Sequence, residues 1–438
     1  MPYVPRRAVA MAALVLVTGF AGQLLLLADQ AGHDGVRPRW FASLPYLLVD
    51  DDTALGFGSA HWLISLEALA LVLLQTAGLA TILAALGQRD PASRAKELAW
   101  RLVLPVAGIL GVLALWAPAV SSADIFGYVG LGLLGDHPFA RPAHFFTGEY
   151  ARFFAYYPLR PTIYGPLWIG LNAAVVSLGS TFAGKLFALR VFGVVQLSAL
   201  AALVWALSRS RALAAAVALN PMLWLQFVVD AHNDLQAVTL LAAGVVLVAR
   251  RRPLWAIAPV AAAGLVKLPF LLLGAVAFGR LGRMPALACT TAAVAICMVA
   301  SAAFGGHAYV ESLLLTASQR GSGMDPILRA SKAIMAFTPV AVTAFVLLRG
   351  RYPAFAGWLY PALAPVLFPW YLVWALPYAL AARAGALLTL LALPLAGVLV
   401  DTIYDLHAVA MALFALGGAA LVAAVARQSP EALEPASG

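Results

Sequence analysis

Charged residues make up only 11% of this 438-residue chain, less than half of the roughly 25% usual in soluble domains. That shortage excludes a soluble fold, because a chain that is 63% hydrophobic could not hide its apolar side chains in a core of this size. It also excludes disorder, which needs low hydrophobicity. Cysteine is nearly absent. Cys289 and Cys297 fall on one predicted helix, where they cannot pair, so there is no disulfide scaffold. Nucleotide motifs are missing too: there is no Walker loop, no dinucleotide fingerprint and no serine-nucleophile elbow. Histidines 137, 144 and 232 show no metal-ligand spacing within one element. No metal site and no cofactor are therefore implied. The net charge of +9 is scattered between apolar runs, as in the inner loops of a membrane protein, and does not form a nucleic-acid footprint.

What is present is a series of continuous apolar runs rich in Ala and Leu. A barrel strand would alternate with period two. Runs of about 20 residues are long enough for a helix to cross a bilayer. The fold class is thus an all-α polytopic membrane protein, read as one integral membrane domain over 1–438. Spans are expected near 8–28, 60–86, 100–119, 184–207, 211–229, 235–249, 284–303, 333–348, 384–400 and 405–426. The run from Ala8 to Ala28 follows Arg6 and Arg7 as a signal peptide would, but it is too long for one and reads as the first span. Three stretches are shorter or broken: 165–179, 253–279 and 353–382. About 11–13 helices result.

Loop charges set the sidedness. Arg6, Arg7, Arg89, Arg94, Lys96, Arg209, Arg211 and Arg250 to Arg252 belong inside. Loop 29–59, with five aspartates, and loops 120–164 and 304–332 belong outside. Arg252 and Arg280 both want the inner side, so 253–279 should be a hairpin turning at Lys267-Leu268-Pro269. The same reasoning makes 353–382 a hairpin turning at Phe368-Pro369-Trp370, and 165–179 a half-length helix.

The uncommon polar residues then share the outer face. Asp124 is the first acidic residue after the third span, and Tyr128 lies one helical turn further on. A carboxylate at a membrane surface can take a proton from an incoming alcohol. It could equally cap a helix, as could Ser121. His137, Arg141 and Tyr164 lie in the same outer loop. Asp230-Ala231-His232-Asn233-Asp234 separates two apolar spans with almost no loop. Ionisable groups in such a place are costly and mostly functional, although Asn233 or Asp234 could be a cap. Lys267 has about a dozen apolar residues on either side, and its ammonium needs an anion, which a phosphate would supply. Arg320 and Arg329 could hold a phosphate or could simply be solvated. Trp370 and Tyr371 could mark an aromatic belt or line the site.

With these residues in place, the chain resembles the membrane-integral glycosyltransferases of the GT-C superfamily. More narrowly, it resembles bacterial mannosyltransferases that use a polyprenyl-phosphate sugar as donor. The resemblance rests on Asp124-Ile125-Phe126-Gly127-Tyr128, Thr162-Ile163-Tyr164-Gly165-Pro166-Leu167, Asn220-Pro221, Ala231-His232-Asn233-Asp234, Gly264-Leu265-Val266-Lys267-Leu268-Pro269 and Phe368-Pro369-Trp370-Tyr371-Leu372. These recur in that order over roughly residues 100–385. Asp124 stands alone where relatives often pair two acids, and Gly165 replaces the first of two prolines.

The resemblance implies a bundle of the GT-C type and an inverting transfer with Asp124 as catalytic base. Tyr128, His137, Arg141, Tyr164, His232, Asn233, Asp234, Lys267, Arg320, Arg329 and Trp370 become substrate-binding candidates. The expected partners are a polyprenyl-phosphate sugar donor (mannose), a lipid or glycan acceptor and membrane lipids, with no nucleic acid. The expected place is the bacterial inner membrane, multi-pass, with the site facing the periplasm. The competing reading is a secondary transporter, or a flippase or glycan polymerase for a lipid-linked substrate, since transporters also use broken helices and buried charges.

Overall fold

The computed structural model describes residues 4–33, 47–48, 61–88, 90, 93–117, 119–122, 124–134, 139, 162–321, 339–349, 356–363, 368–382, 385–402 and 420. Over these residues the chain is a helical bundle. Helices Arg6–His33, His61–Leu86, Arg94–Leu115, Phe182–Ser208 and Arg283–Phe304 contain apolar segments long enough to cross a membrane. Each coincides with an expected span, within a few residues except at the start of the third. That helix begins six residues earlier, at Arg94, because the Ser93 hydroxyl accepts the Lys96 N–H and caps it.

The expected span 211–229 is not one straight helix. Arg211–Ala218 and Pro221–Val229 meet at 43°. Pro221 cannot continue the ladder, and Asn220 restarts the helix by accepting the Met222 and Leu223 N–H groups. The second piece ends in π geometry over Leu225–Val229. Shorter apolar helices complete the bundle: Asp124–Leu133, Pro166–Ser177, Asp234–Ala249, Pro253–Val266, Pro339–Arg349 and Ala386–Val398, the last lying within helix Ala386–Thr402.

Both expected hairpins are there. Pro253–Val266 and Phe270–Phe278 fold back on each other at Lys267. A methyl group added to Gly274 would touch Val260, and one added to Gly264 would touch Leu271, the pairing of two antiparallel segments. Likewise, helix Ala375–Ala382 returns along the 3-10 segment Ala356–Leu363, with the Tyr360 and Tyr378 rings 5.8 Å apart. The half-length helix appears as Pro166–Ser177, 12 residues long. The stretch expected to be an outer loop at 304–332 carries a helix, Gly306–Gly321. Ser312 ties that helix to the rest by donating to the Thr162 carbonyl at 2.5 Å. Expected span 405–426 lies outside the described residues apart from Ala420.

One continuous apolar core runs from Val4 to Ala396. The late elements 369–374 and 386–402 pack on earlier helices, including 61–86, 211–218 and 234–249. A single pair of two-residue strands joins Leu47–Leu48 to Ala119–Val120 in parallel, just before Asp124. The breaks between helices meet one another: Ser121 reaches Asp230, His232 meets Asp124 and Trp370, Lys267 meets Asp234, and Gly165 meets Val266. Irregular backbone at membrane depth is tolerated where protein or a polar cavity surrounds it.

Candidate active site

The site is built from those breaks. Helix Asp124–Leu133 begins where Ser122 accepts the Asp124 N–H at 3.2 Å, so Ser122 serves as cap and not Ser121. Ser121 instead donates its N–H at 2.8 Å and its hydroxyl to the two carboxylate oxygens of Asp230. Arg190, fully buried, crosses behind this contact. It donates to the carbonyls of Val229 at 3.0 Å, Ala117 at 2.9 Å and Leu115 at 3.2 Å. Arg190 and Asp230 thereby lock the segment leading into Asp124 against the end of the π-helix. Their partners lie 39 to 109 residues away in sequence, so composition and spacing carry no signal for Arg190.

The turn after the π-helix is strained. Ala231 sits at φ +54°, a left-handed conformation that a residue with a Cβ adopts only at a cost. The wide turn closes with the Asp230 N–H on the Leu225 carbonyl and the His232 N–H on the Gln226 carbonyl. This places the His232 Nδ1 atom 3.5 Å from the Asp124 carboxylate. The His232 ring stacks on Trp370 with centroids 3.7 Å apart, and Trp370 stacks in turn on Phe368 at 4.4 Å. The Asp124 side chain keeps 38% of its surface exposed, whereas that of His232 is fully buried. Trp370 thus packs inside the site, 9% exposed, and is not a solvated belt residue.

Lys267, at the hairpin tip, finds its anion inside the protein. Its ammonium lies 3.0 and 3.3 Å from the two oxygens of Asp234. The Trp374 indole N–H donates to the same carboxylate at 2.6 Å. The ammonium also faces the rings of Tyr371 at 4.4 Å, Trp374 at 5.3 Å and Tyr164 at 5.7 Å. Asp234 opens helix Asp234–Ala249, but its carboxylate is spent on Lys267 and Trp374, and Asn233 makes no capping bond. Simple capping therefore does not account for this cluster.

Tyr164 and Tyr128 meet edge to face at 5.6 Å, with their hydroxyls 3.4 Å apart. Tyr128 points into the bundle, and its carbonyl accepts from Asn172 at 2.6 Å. Gly165 ties this strand to the hairpin tip. Its N–H donates to the Val266 carbonyl at 2.9 Å, and an added Cβ would lie 2.1 Å from the Leu265 oxygen. A proline here would lose that bond, which accounts for glycine at the position.

The structure therefore brings together Asp124, Tyr128, Tyr164, His232, Asn233, Asp234, Lys267 and Trp370. Arg320 lies on helix Gly306–Gly321, with its side chain outside the described part. His137, Arg141 and Arg329 lie outside the described residues. Among the described residues, no three His, Cys, Asp or Glu side chains gather as a metal site would require.

The described residues thus form a helical bundle with apolar helices long enough to cross a membrane, whose buried acids, histidine and lysine gather at its helix breaks. The chain belongs to the MptA_B family: the family model for the N-terminal domain of alpha-(1->6)-mannopyranosyltransferases matches residues 16–282, more than half of its length. It is a GT-C-type glycosyltransferase acting on mannose. Neither the curated proteins nor the solved structures contain a match to the chain.

Proposed function

We propose that the protein transfers mannose, with inversion, from a polyprenyl-phosphate donor to a hydroxyl of a lipid or glycan acceptor at the periplasmic face of a bacterial inner membrane. The family's name supports an α-(1→6) linkage, which makes the acceptor group a primary 6-hydroxyl. The observation that carries the reading is the asymmetry of the acids. Asp230 and Asp234 are fully buried, whereas the Asp124 side chain keeps 38% of its surface exposed beside a buried histidine.

In the transfer, a carboxylate oxygen of Asp124 takes the proton of the acceptor hydroxyl while the acceptor's own oxygen attacks C1 of the mannosyl donor. The bond from C1 to the phosphate oxygen breaks, and the polyprenyl phosphate leaves as an anion that needs no general acid. His232 holds the orientation of Asp124, and Trp370 holds His232. Lys267 is a positioning residue, because Asp234 already balances its charge. On charge alone, Arg141, Arg320 and Arg329 are the candidates to balance the leaving phosphate. The helix carrying Arg320 is fastened at Thr162, on the rim of the site.

The test uses purified full-length protein in detergent, radiolabelled polyprenyl-phosphate mannose and a mannoside acceptor. Transfer by wild type and its loss in Asp124→Asn support the reading. Full transfer by Asp124→Asn overturns the assignment of the base.

A further inference from the structure

Behind the Asp124–His232 contact lies a small cavity of about 10 Å³. That is room for a group the size of one oxygen. It is walled by Trp168, Phe192, Gly193, Phe227, His232, Asn233 and Gln236, among others. Four of these side chains carry polar atoms with no hydrogen-bond partner in the protein: the Trp168 Nε1, the His232 Nε2, both amide atoms of Asn233 and the Gln236 Oε1. All four residues are at least nine-tenths buried. Native folds leave few buried polar atoms unsatisfied, and a set sharing one cavity calls for a ligand.

The chemistry of that ligand follows from the wall. The indole N–H can only donate and the Gln236 oxygen can only accept, while the Asn233 amide does both. One group that accepts and donates at once is a hydroxyl. No charged side chain lines the cavity, so the phosphate of the donor has no counter-charge there.

We propose that this cavity receives one hydroxyl of a hexopyranose, and that Trp168, Asn233 and Gln236 thereby select the sugar at this centre. The proposal rests on the transferase reading of the same site. The geometry of the wall is set by backbone. Gly193 brings helix Phe182–Ser208 so close to the π-helix that an added Cβ would lie 2.2 Å from the Phe227 oxygen, and Ala231 holds the strained turn that aims His232 and Asn233.

The test is a deoxy scan on the full-length protein in detergent. Donor polyprenyl-phosphate mannose and acceptor methyl α-mannobioside are each supplied with one hydroxyl removed in turn, the reacting 6-hydroxyl of the acceptor excepted, for wild type, Trp168→Phe and Gln236→Leu. In wild type, one deoxy position on one of the two substrates should lower kcat/KM by about 100-fold or more, because the buried groups are then left unpaired. The same position should cost each variant at least tenfold less. Whether that position lies on donor or acceptor identifies the sugar seated there. Equal turnover of all deoxy substrates by wild type overturns the proposal and leaves the cavity to water. So does uniform loss by the variants with discrimination unchanged. If wild type transfers nothing from any donor, it is the proposed function that fails. The cavity is then tested by binding of tritiated methyl α-mannopyranoside: retention by wild type and loss in Gln236→Leu supports it, and no difference overturns it.

Discussion

Lys267 and Asp234 form a buried ion pair 3.0 Å long, with side chains 6% and 1% exposed, and Trp374 shares the carboxylate. Each charge depends on the other. Removing one alone leaves an uncompensated charge out of water, a loss of about 3–5 kcal/mol. Lys267→Met or Asp234→Leu should each lower the unfolding temperature sharply in detergent. The double variant should lose much less than the sum, and a double-mutant cycle measures the difference. Additive losses would mean the pair is not coupled.

Asp124→Asn is isosteric and touches no packing in the core. Transfer should fall by about 10²–10⁴-fold, the range of a lost general base. The unfolding temperature should stay within a degree or two of wild type. Steady-state kinetics beside a thermal melt reads both.

His232 has two separable features, its stack on Trp370 and its nitrogen facing Asp124. His232→Phe keeps the ring and removes the nitrogen. It should cost tenfold or more in kcat with little change in stability. His232→Ala should lose both activity and stability, since the Trp370 face is then bare. If both variants behave alike in kcat and in melting, the nitrogen has no role of its own.

Gly165→Ala places a Cβ 2.1 Å from the Leu265 oxygen, which is backbone and cannot rotate away. The hairpin tip must shift, at about 1–3 kcal/mol, and Lys267 moves with it. A lowered melting temperature with a reduced kcat is expected; wild-type values for both would show that the tip tolerates displacement.

Arg190→Met removes the guanidinium that donates to the carbonyls of Leu115, Ala117 and Val229. Buried carbonyls left unpaired cost about 1–3 kcal/mol each. The variant should be among the least stable of any single change at these helix breaks. Arg190→Lys should recover only part, because an ammonium cannot span three carbonyls set apart as a guanidinium can.

The breaks were the legible part of the sequence. Lys267-Leu268-Pro269 and Phe368-Pro369-Trp370 interrupt apolar runs with residues that cannot continue a helix, and charge parity required each run to return. The helices sit where the apolar runs predict them. The bend at Asn220-Pro221 and the π-turn that follows were not legible, because every residue from Pro221 to Val229 except Gln226 is apolar, and hydropathy does not distinguish a straight span from a bent one. The helix Gly306–Gly321 was hidden for the opposite reason: its low hydropathy resembles a loop, and what holds it is a contact with Thr162 from 150 residues earlier. Asp234 and Lys267 could each be singled out as unusual, but their pairing is a tertiary fact.

The short parallel pairing of Leu47–Leu48 with Ala119–Val120 has a mechanical meaning. It leashes the stretch between the first two spans to the backbone four residues ahead of Asp124. With Val120 only four residues from Asp124, this pairing is a second anchor beside the Arg190 contacts. The segment that enters the candidate base is therefore held from the connection after the first helix as well as from the core.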